Sequence, residues 1–449
     1  MSTIEKHDMT QGKILLPLVS FTIPLVLGNL FQLTYNAADS VIVGKYVGEQ
    51  ALAAVGTSTP IMNIAILLIS GMCMGASVLM SSQYGAKDYD TLSRQISTTM
   101  LAGCGFSVVF SLLMLLLANP VLRLIRVPET AIPEAAAYLR IIFMGLIFTF
   151  MYNFLANTMR ALGDSKTPLY FLVTSAFLNI FGDLFFVVVL RWGVAGSAIA
   201  TVCSEGLCCL LCGIYIKKKI PLLCLGKKWW VFDKSLLGKT VSYGSTSAMQ
   251  QVCLQLGKLI IQSVVNTQGV AVMAAFTAGN RVDDFAYTPQ QNIGHAMTTF
   301  LAQNKGAGHK ERMKKGFQTG LLIELVYSIG LFCVIWGLAP QIMTLFAEDG
   351  DAQVVSLGIS YLHLISWMYI LPGLTNGVQG FFRGIGDLKV TLYSTFMNMF
   401  GRVVAVFVMI RLLQMEFASL AWANMVGWIV MLLFEVPLLV KSMRNGECG

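Results

Sequence analysis

Several long stretches of this chain contain no charged residue, and this feature limits the possible folds more than any other. Four of them are Ile14 to Ala38, Ala51 to Ala86, Gln95 to Leu122 and Ala352 to Phe382. A helix of about 20 apolar residues spans the hydrocarbon core of a bilayer, so each stretch is long enough to cross a membrane. Only 12% of the 449 residues are charged, against about 25% in soluble domains. The chain is therefore predicted to be a membrane protein.

Shorter apolar stretches, interrupted by single charges, complete a set of predicted transmembrane helices. The polar N-terminus leads into the first span without a small-residue cleavage pattern, which indicates a transmembrane helix and not a removed signal peptide. The predicted fold class is an all-α polytopic membrane protein with twelve transmembrane helices. The spans are 14–44, 51–83, 95–119, 137–159, 168–190, 194–215, 243–265, 269–303, 317–341, 354–382, 390–410 and 417–440.

The second half of the chain repeats the first half. A shift of 221 residues places Gly48 on Gly269, and a shift of 223 residues places Arg160 on Arg383. Because each half has six helices, both halves start on the same side of the membrane and the repeats are parallel. Two six-helix lobes around a central cleft are therefore expected.

We expect an N-lobe at residues 1–229, with helices 1–6 and a cytoplasmic connector, and a C-lobe at residues 230–449, with helices 7–12. Most of the 31 basic residues fall at the termini and in loops on the same side as the termini. Because basic residues are retained in the cytoplasm, both termini are predicted to be cytoplasmic, in the cytoplasmic (inner) membrane. Lys227 and Lys228 beside Trp229 and Trp230 indicate an interfacial segment on anionic lipid. No nucleic-acid partner is predicted, because no separate basic domain exists to bind one.

Ionisable residues inside the predicted spans are candidates for function, since each costs about 2.5 to 3.5 kcal/mol to insert. Asp39 lies in span 1, and the preceding Pro24 removes a backbone hydrogen bond where the helix can bend. Asn179 and Asp183 lie one turn apart on span 5, and Thr201 lies on span 6. Their oxygens are hard ligands that suit a proton or Na⁺. The alternative interpretation is hydrogen bonding between helices.

Three glutamates in the predicted spans, Glu205, Glu324 and Glu435, are further candidates. Five other charged residues lie in spans of the second half: Lys258, Arg281, Asp283, Asp284 and Arg402. Lys258 and Arg281 could neutralise Asp283 and Asp284 as structural pairs. The five residues could equally contact a substrate, and both interpretations stay open at this point.

The run from Gln32 to Asp39, followed by Val43-Gly44, closely resembles the first-helix signature of the multidrug and toxic compound extrusion (MATE) family, of the bacterial and archaeal type. Gln83 to Ala86, Met159 to Asp164 and Gly193 to Thr201 also look like family positions. The resemblance implies a cation-coupled antiporter and not an enzyme. It implies export of amphipathic, often cationic, organic compounds by alternating access in exchange for H⁺ or Na⁺, without a cofactor.

The resemblance also implies specific site residues. Family members carry an N-lobe cation site from a first-helix Asp, a fifth-helix Asn and Asp, and a sixth-helix Thr, which Asp39, Asn179, Asp183 and Thr201 match. Some relatives use a seventh-helix Glu and a tenth-helix Asp in the C-lobe. Span 7 here offers glutamines and a lysine instead, so coupling is expected in the N-lobe alone.

Aromatic and methionine side chains adapt to substrates of different shapes, which suggests a set of pocket residues. The predicted pocket residues are Phe31, Tyr35, Met62, Phe150, Tyr152, Phe154, Gln251, Met273 and Asn376. The protein is expected to act as a monomer on small organic substrates.

Two other functions remain as alternatives. A lipid-linked sugar flippase of the same broad superfamily would usually have two further helices and a basic cleft, for which Lys258 and Arg402 are candidates. An intramembrane aspartyl protease is suggested by Gly384 to Asp387. That stretch lies in a predicted loop and recurs as Ala161 to Asp164, so a repeated turn explains it better.

Overall fold

The computed structural model describes residues 8–125, 127–220, 231–346, 352–413, 417 and 419–445, and within these ranges every regular element is a helix. Short π-helical segments continue two of the α-helices, Leu184–Val189 after α6 and Val408–Leu412 after α13. The α-helices are α1 (Leu15–Tyr46), α2 (Glu49–Gly85), α3 (Tyr89–Leu124), α4 (Ile132–Met144), α5 (Leu146–Ala161), α6 (Lys166–Asp183), α7 (Gly193–Lys219), α8 (Lys234–Val265), α9 (Val270–Gly306), α10 (Lys310–Phe346), α11 (Ala352–Met368), α12 (Ile370–Ile385), α13 (Leu388–Phe407) and α14 (Ser419–Arg444).

These helices form the twelve predicted spans, and two of the spans are bent. Eight helices are long and apolar enough to cross a membrane, and the bent pairs α4–α5 and α11–α12 raise the number to ten. The long helices α8 and α9, whose composition is more polar, complete the twelve. The all-α polytopic fold is therefore confirmed.

Spans 4 and 10 were predicted as single helices, and this detail was wrong. The chain bends by 46° between α4 and α5 and by 45° between α11 and α12. At the first bend, Val202 of α7 packs so closely that a Cβ on Gly145 would lie 2.5 Å from its methyl carbon. At the second bend, Pro372 cannot donate the backbone hydrogen bond that would continue the helix across Tyr369.

The sequence repeat is also a repeat of backbone geometry. Gly48 before α2 and Gly269 before α9 have φ values of 110° and 101°. Gly163 after α5 and Gly386 after α12 have φ values of 90° and 85°. Glycine adopts these conformations without steric cost, which explains why the same residue type recurs at matched positions. The bends and the π-helical segments recur in the same way, in spans 4 and 10 and in spans 5 and 11.

The chain divides into two compact units. Unit 1 comprises Met1–Asp8 and Ile23–Ala248, and unit 2 comprises Met9–Thr22 and Met249–Gly449. The division crosses α1 between Thr22 and Ile23 and crosses α8 between Ala248 and Met249. The predicted lobe boundary between residues 229 and 230 lies outside the described residues, as does the predicted interfacial segment at Lys227–Trp230.

Close helix contacts in both units depend on glycine. In unit 1 the ring of Phe150 on α5 lies directly over Gly103 of α3. In unit 2 a Cβ on Gly380 of α12 would lie 2.7 Å from the carbonyl oxygen of Gly294 on α9. Small residues at such contacts are typical of membrane helices, because lipid offers no hydrophobic force to drive helices together and close van der Waals contact must do so.

Candidate functional site

The four predicted cation ligands lie on three helices of unit 1. Asp39 is on α1, Asn179 and Asp183 are on α6, and Thr201 is on α7. The α6 and α7 backbones approach closely, because a Cβ on Gly182 would lie 2.9 Å from the Cβ of Ala200. This contact places the polar faces of the two helices side by side.

A chain of hydrogen bonds links the three helices. Asn179 Nδ2 donates to Thr201 Oγ1 at 3.1 Å, and Thr201 Oγ1 donates to the carbonyl oxygen of Ser197 at 3.1 Å. Ser197 Oγ then donates to Asp39 Oδ1 at 2.8 Å. The structure therefore brings Asp39, Asn179 and Thr201 together through Ser197, which sequence reasoning missed. The available signal was spacing, since Ser197 and Thr201 lie one turn apart on one face of α7.

Asp183 lies within this polar group, next to Asp39 and Ser197. Its side chain is fully buried, and neither carboxyl oxygen has a partner among the described residues. The Oδ1 of Asn179 also lacks a partner there. Asp183 lies close enough to Asp39 for the two carboxyl groups to interact electrostatically. Unsatisfied buried acceptors and neighbouring like charges are both unfavourable, and a bound cation relieves both.

The surroundings of these acids are aromatic and acidic. The hydroxyl of Tyr138 lies within electrostatic range of Asp39 and Asp183 and 3.8 Å from the Sδ of Met62. On α7, Glu205 accepts a hydrogen bond of 2.5 Å from Thr149 Oγ1. No described Lys, Arg or His nitrogen lies within 4.0 Å of these carboxyl groups. The local field therefore favours a cation.

The predicted pocket residues of unit 1 fall into two groups. Phe31 is 39% exposed, with its ring 6.2 Å from that of Phe177, while Tyr35, Met62 and Tyr152 are half-buried. Phe150 and Phe154 are 2% and 1% exposed and stack on each other at 5.8 Å within the hydrophobic core. The structure therefore places these last two rings in the core of unit 1 and not on a surface that a substrate reaches.

The predicted pocket residues of unit 2 lie on three different helices. Gln251 on α8 and Asn376 on α12 are half-buried, and Met273 on α9 is 36% exposed. The Asn376 amide donates to the carbonyl oxygen of Pro372 at 2.8 Å. Part of its hydrogen-bonding capacity is therefore used within its own helix.

Two aspartates of unit 2, Asp283 and Asp284, have different partners. Lys258 Nζ lies 3.2 Å from Asp284 Oδ1, with both side chains about half exposed. Asp283 is buried and accepts hydrogen bonds from Tyr369 at 2.6 Å and Tyr361 at 2.7 Å. The interpretation as structural pairs therefore holds for Lys258 with Asp284, whereas two tyrosine hydroxyls hold the carboxyl oxygens of Asp283.

The two remaining arginines make no ion pair in the described part of unit 2. Arg281 has no carboxylate oxygen within 4.0 Å there. Arg402 interacts electrostatically with Asp283 at longer range, and its aliphatic carbons pack against Gly427. The Nε of Arg402 is buried and has no acceptor among the described residues. This burial limits the ability of Arg402 to bind an anion.

Comparisons with known proteins agree on one family. The family model described as MatE matches residues 24–185 and 247–409, once in each half of the chain. The "Probable multidrug resistance protein YpnP" of Bacillus subtilis is 32% identical over 392 residues, covering 87% of this chain and 86% of that protein. The "Probable multidrug resistance protein YoeA" of the same organism is 28% identical over 389 residues, covering 85% and 82%.

The fold agrees with a solved structure. That structure is described as the outward-facing conformation of a multidrug resistance MATE family transporter of the MOP superfamily. It superposes with a TM-score of 0.92 at 21% identity and covers 99% of both chains.

Proposed function

Because this chain belongs to the multidrug and toxic compound extrusion (MATE) family of membrane transporters, we propose that it is a multidrug efflux transporter. It exchanges amphipathic, often cationic, organic compounds for H⁺ or Na⁺. The two Bacillus subtilis relatives, both named as probable multidrug resistance proteins, support this class of substrate. One observation supports cation coupling most directly. The buried carboxyl group of Asp183 lies beside Asp39, and its oxygens make no hydrogen bond of ordinary geometry among the described residues.

The cation binds among Asp39, Asn179, Asp183 and Thr201. The oxygens available to it are the two carboxyl oxygens of Asp183 and the Oδ1 of Asn179. Thr201 Oγ1 accepts one hydrogen bond from Asn179 and donates another to a carbonyl, which leaves one hydroxyl lone pair for a cation. A proton or Na⁺ would each remove the repulsion between Asp39 and Asp183, so both fit the donor set.

Cation binding is coupled to substrate release through α1, which carries both Asp39 and Pro24. The helix is continuous through Pro24, whose missing N–H leaves one carbonyl of the preceding turn without its helical donor. Thr22 Oγ1 donates to the carbonyl oxygen of Leu18 at 2.8 Å in that same region. Cation binding changes the bend of α1 at Pro24, and this change disfavours substrate binding. The two events together drive alternating access.

The proposed setting follows from the same features. The multi-pass protein lies in the cytoplasmic (inner) membrane with both termini in the cytoplasm, since the basic residues concentrate on that side. It acts as a monomer, because all four proposed cation ligands belong to unit 1 of a single chain.

The experiment is efflux of a fluorescent lipophilic cation from proteoliposomes, with a Na⁺ gradient and a pH gradient imposed separately. Asp39→Asn and Asp183→Asn should abolish efflux driven by the coupling ion while leaving a folded, inserted protein. Asp90→Asn, at an exposed position in the first turn of α3, is the matched control and should export at the parent rate. Export by Asp39→Asn at the parent rate would contradict the proposal.

The two alternative functions gain no support from the local geometry. The flippase alternative depended on free basic residues, but Lys258 is paired with Asp284. The protease alternative depended on a loop aspartate whose repeat counterpart is Asp164. Asp164 Oδ1 accepts hydrogen bonds from the backbone N–H groups of Lys166 and Thr167 at 3.1 and 3.0 Å, which is the geometry of a helix-starting turn.

A further inference from the structure

A second buried carboxyl group lies in unit 2, on a helix that none of the proposed coupling residues occupies. Glu324 of α10 is 1% exposed. Within the described residues neither of its carboxyl oxygens has a hydrogen-bond partner, and no basic nitrogen lies within 4.0 Å. Burying an ionisable group in this way is costly, so it requires a reason.

The surroundings of Glu324 are oxygen-rich and centre on the bend between α11 and α12. At this bend the carbonyl oxygen of Tyr369 accepts from Gln290 Nε2 at 2.8 Å and from Ser328 Oγ at 3.3 Å. Gln290 is fully buried, and its Oε1 has no partner in the described ranges. The bend therefore collects the amide group of Gln290, a hydroxyl and a backbone carbonyl near the Glu324 carboxyl group.

Gly373 provides the space that these groups share. A Cβ at this position would lie 2.8 Å from Ser328 Oγ, 3.2 Å from Gln290 Nε2 and 3.4 Å from Glu324 Oε2. Three polar side chains from α9 and α10 thus converge on one point of α12. The absence of a side chain at Gly373 lets these three groups approach α12 closely.

We propose that unit 2 contains a second cation-binding site, in which Glu324 is the charged ligand and the oxygens of Gln290 and Ser328 are neutral ligands. Its occupant is a small monovalent cation, H⁺ or Na⁺, because hard oxygen donors around one buried carboxyl group suit both. The site differs from the seventh- and tenth-helix acids of some relatives. It does not rest on the cation site of unit 1.

Two tyrosines of the described helices lie near Glu324, Tyr327 by its side chain and Tyr369 by its backbone carbonyl. The helices α9, α11 and α12 pack against α10. Tyr327 of α10 lies within electrostatic range of Glu324, and its hydroxyl donates to the carbonyl oxygen of Ala286 at 3.1 Å. The hydroxyl of Tyr369 donates to Asp283 at 2.6 Å. No basic group described on these helices pairs with Glu324, so a cation is the available means of neutralising it.

The test uses the purified full-length Asp183→Asn protein in nanodiscs, so that binding at the unit 1 site is removed. Calorimetric titration with NaCl, against choline chloride at equal ionic strength, measures Na⁺ binding. Infrared difference spectra across a pH titration measure the appearance of a protonated carboxyl group. Glu324→Gln should abolish one of these signals or weaken Na⁺ binding at least about tenfold. Loss of even an outer-shell partner of a metal lowers metal affinity by about that factor.

Matched variants separate loss of the site from loss of the fold. Gly373→Ala should have the same effect as Glu324→Gln, because its methyl group fills the shared space. Gly330→Ala and Glu311→Gln on α10 should leave both signals unchanged, since no atom lies within 4 Å of a Cβ at Gly330 and Glu311 is exposed. If Glu324→Gln does not fold, Gly373→Ala alone decides the question.

Loss of the Na⁺ signal identifies a sodium site, and loss of the carboxyl band alone identifies a proton site. The proposal is overturned if the Asp183→Asn protein shows neither signal, or if both signals survive in the folded Glu324→Gln and Gly373→Ala proteins. Failure of the unit 1 proposal looks different, because Asp183→Asn would then retain coupled efflux.

Discussion

Ser197 Oγ donates a hydrogen bond of 2.8 Å to Asp39 Oδ1 and so joins α7 to the helix that carries Pro24. The same α7 face holds Thr201, whose hydroxyl donates to the Ser197 carbonyl and accepts from Asn179. Asp39 is therefore linked to α7 directly and to α6 through Ser197 and Thr201. In this arrangement Ser197 positions the acid, while Asp183 supplies the unpartnered oxygens.

Replacing Ser197 by alanine should weaken cation binding without unfolding the protein. A hydrogen bond to a charged group contributes about 1.5 kcal/mol or more, so the half-saturating concentration of the coupling cation should rise about tenfold. The measurement is cation-dependent efflux from proteoliposomes. Ser204→Ala is the control, because Ser204 Oγ donates to the carbonyl oxygen of Thr201 and contacts no site side chain. An unchanged half-saturating concentration in Ser197→Ala would remove Ser197 from the site.

Replacing Thr201 separates the need for its oxygen from the need for its shape. Valine keeps the volume and removes the hydroxyl, which leaves the Nδ2 of Asn179 without its acceptor. Thr201→Val should therefore reduce coupled efflux about tenfold or more, since a buried donor without a partner costs about 1 to 3 kcal/mol. Thr201→Ser keeps the oxygen and should stay within about twofold of the parent rate, given that 1.4 kcal/mol corresponds to tenfold. Equal rates in the two variants would show that Thr201 only fills space.

The sequence predicted the acids and amides of the site better than the serine that connects them. Asp39 and Asp183 are charged residues within apolar spans. Because inserting a charge into a membrane is costly, the sequence alone identifies them as functional candidates. Ser197 is an ordinary residue in a membrane helix, and its partner is 158 residues away in the chain. Glu324 was visible in the same way as the aspartates. Its role was not, because Gly373 and the bend at Tyr369 that surround it are tertiary features.

The helix number was predictable because bilayer thickness sets the length of each span. The bends were not, because both depend on neighbouring helices. Pro372 interrupts the backbone hydrogen bonds of span 10, but its effect depends on whether neighbouring helices satisfy the freed carbonyl groups. At Gly145 the cause is the close approach of Val202 from another helix, which no local pattern encodes.

Two glycines of α3, two residues apart and in different surroundings, test the packing of unit 1. The ring of Phe150 occupies the space that a methyl group on Gly103 would need, whereas no atom lies within 4 Å of a Cβ on Gly105. Both residues belong to α3, so helix propensity affects them equally. Gly103→Ala should destabilise the protein by about 1 to 3 kcal/mol through overpacking, and Gly105→Ala should not. Thermal unfolding in detergent measures this, and equal melting temperatures would mean that Phe150 moves aside without cost.

Two prolines of α1 test whether the bend of this helix couples cation binding to transport. Pro17 lies in the first turn, where its missing N–H would have no helical partner, whereas Pro24 lies in the helix interior and interrupts the ladder. Pro24→Ala restores that hydrogen bond and favours a straight helix, so it should slow coupled efflux several-fold while leaving cation affinity near the parent value. Pro17→Ala should leave both quantities unchanged. The comparison needs cation binding and efflux measured on the same reconstituted protein, because a loss of affinity in Pro24→Ala would place the effect at the Asp39 site and not at the bend.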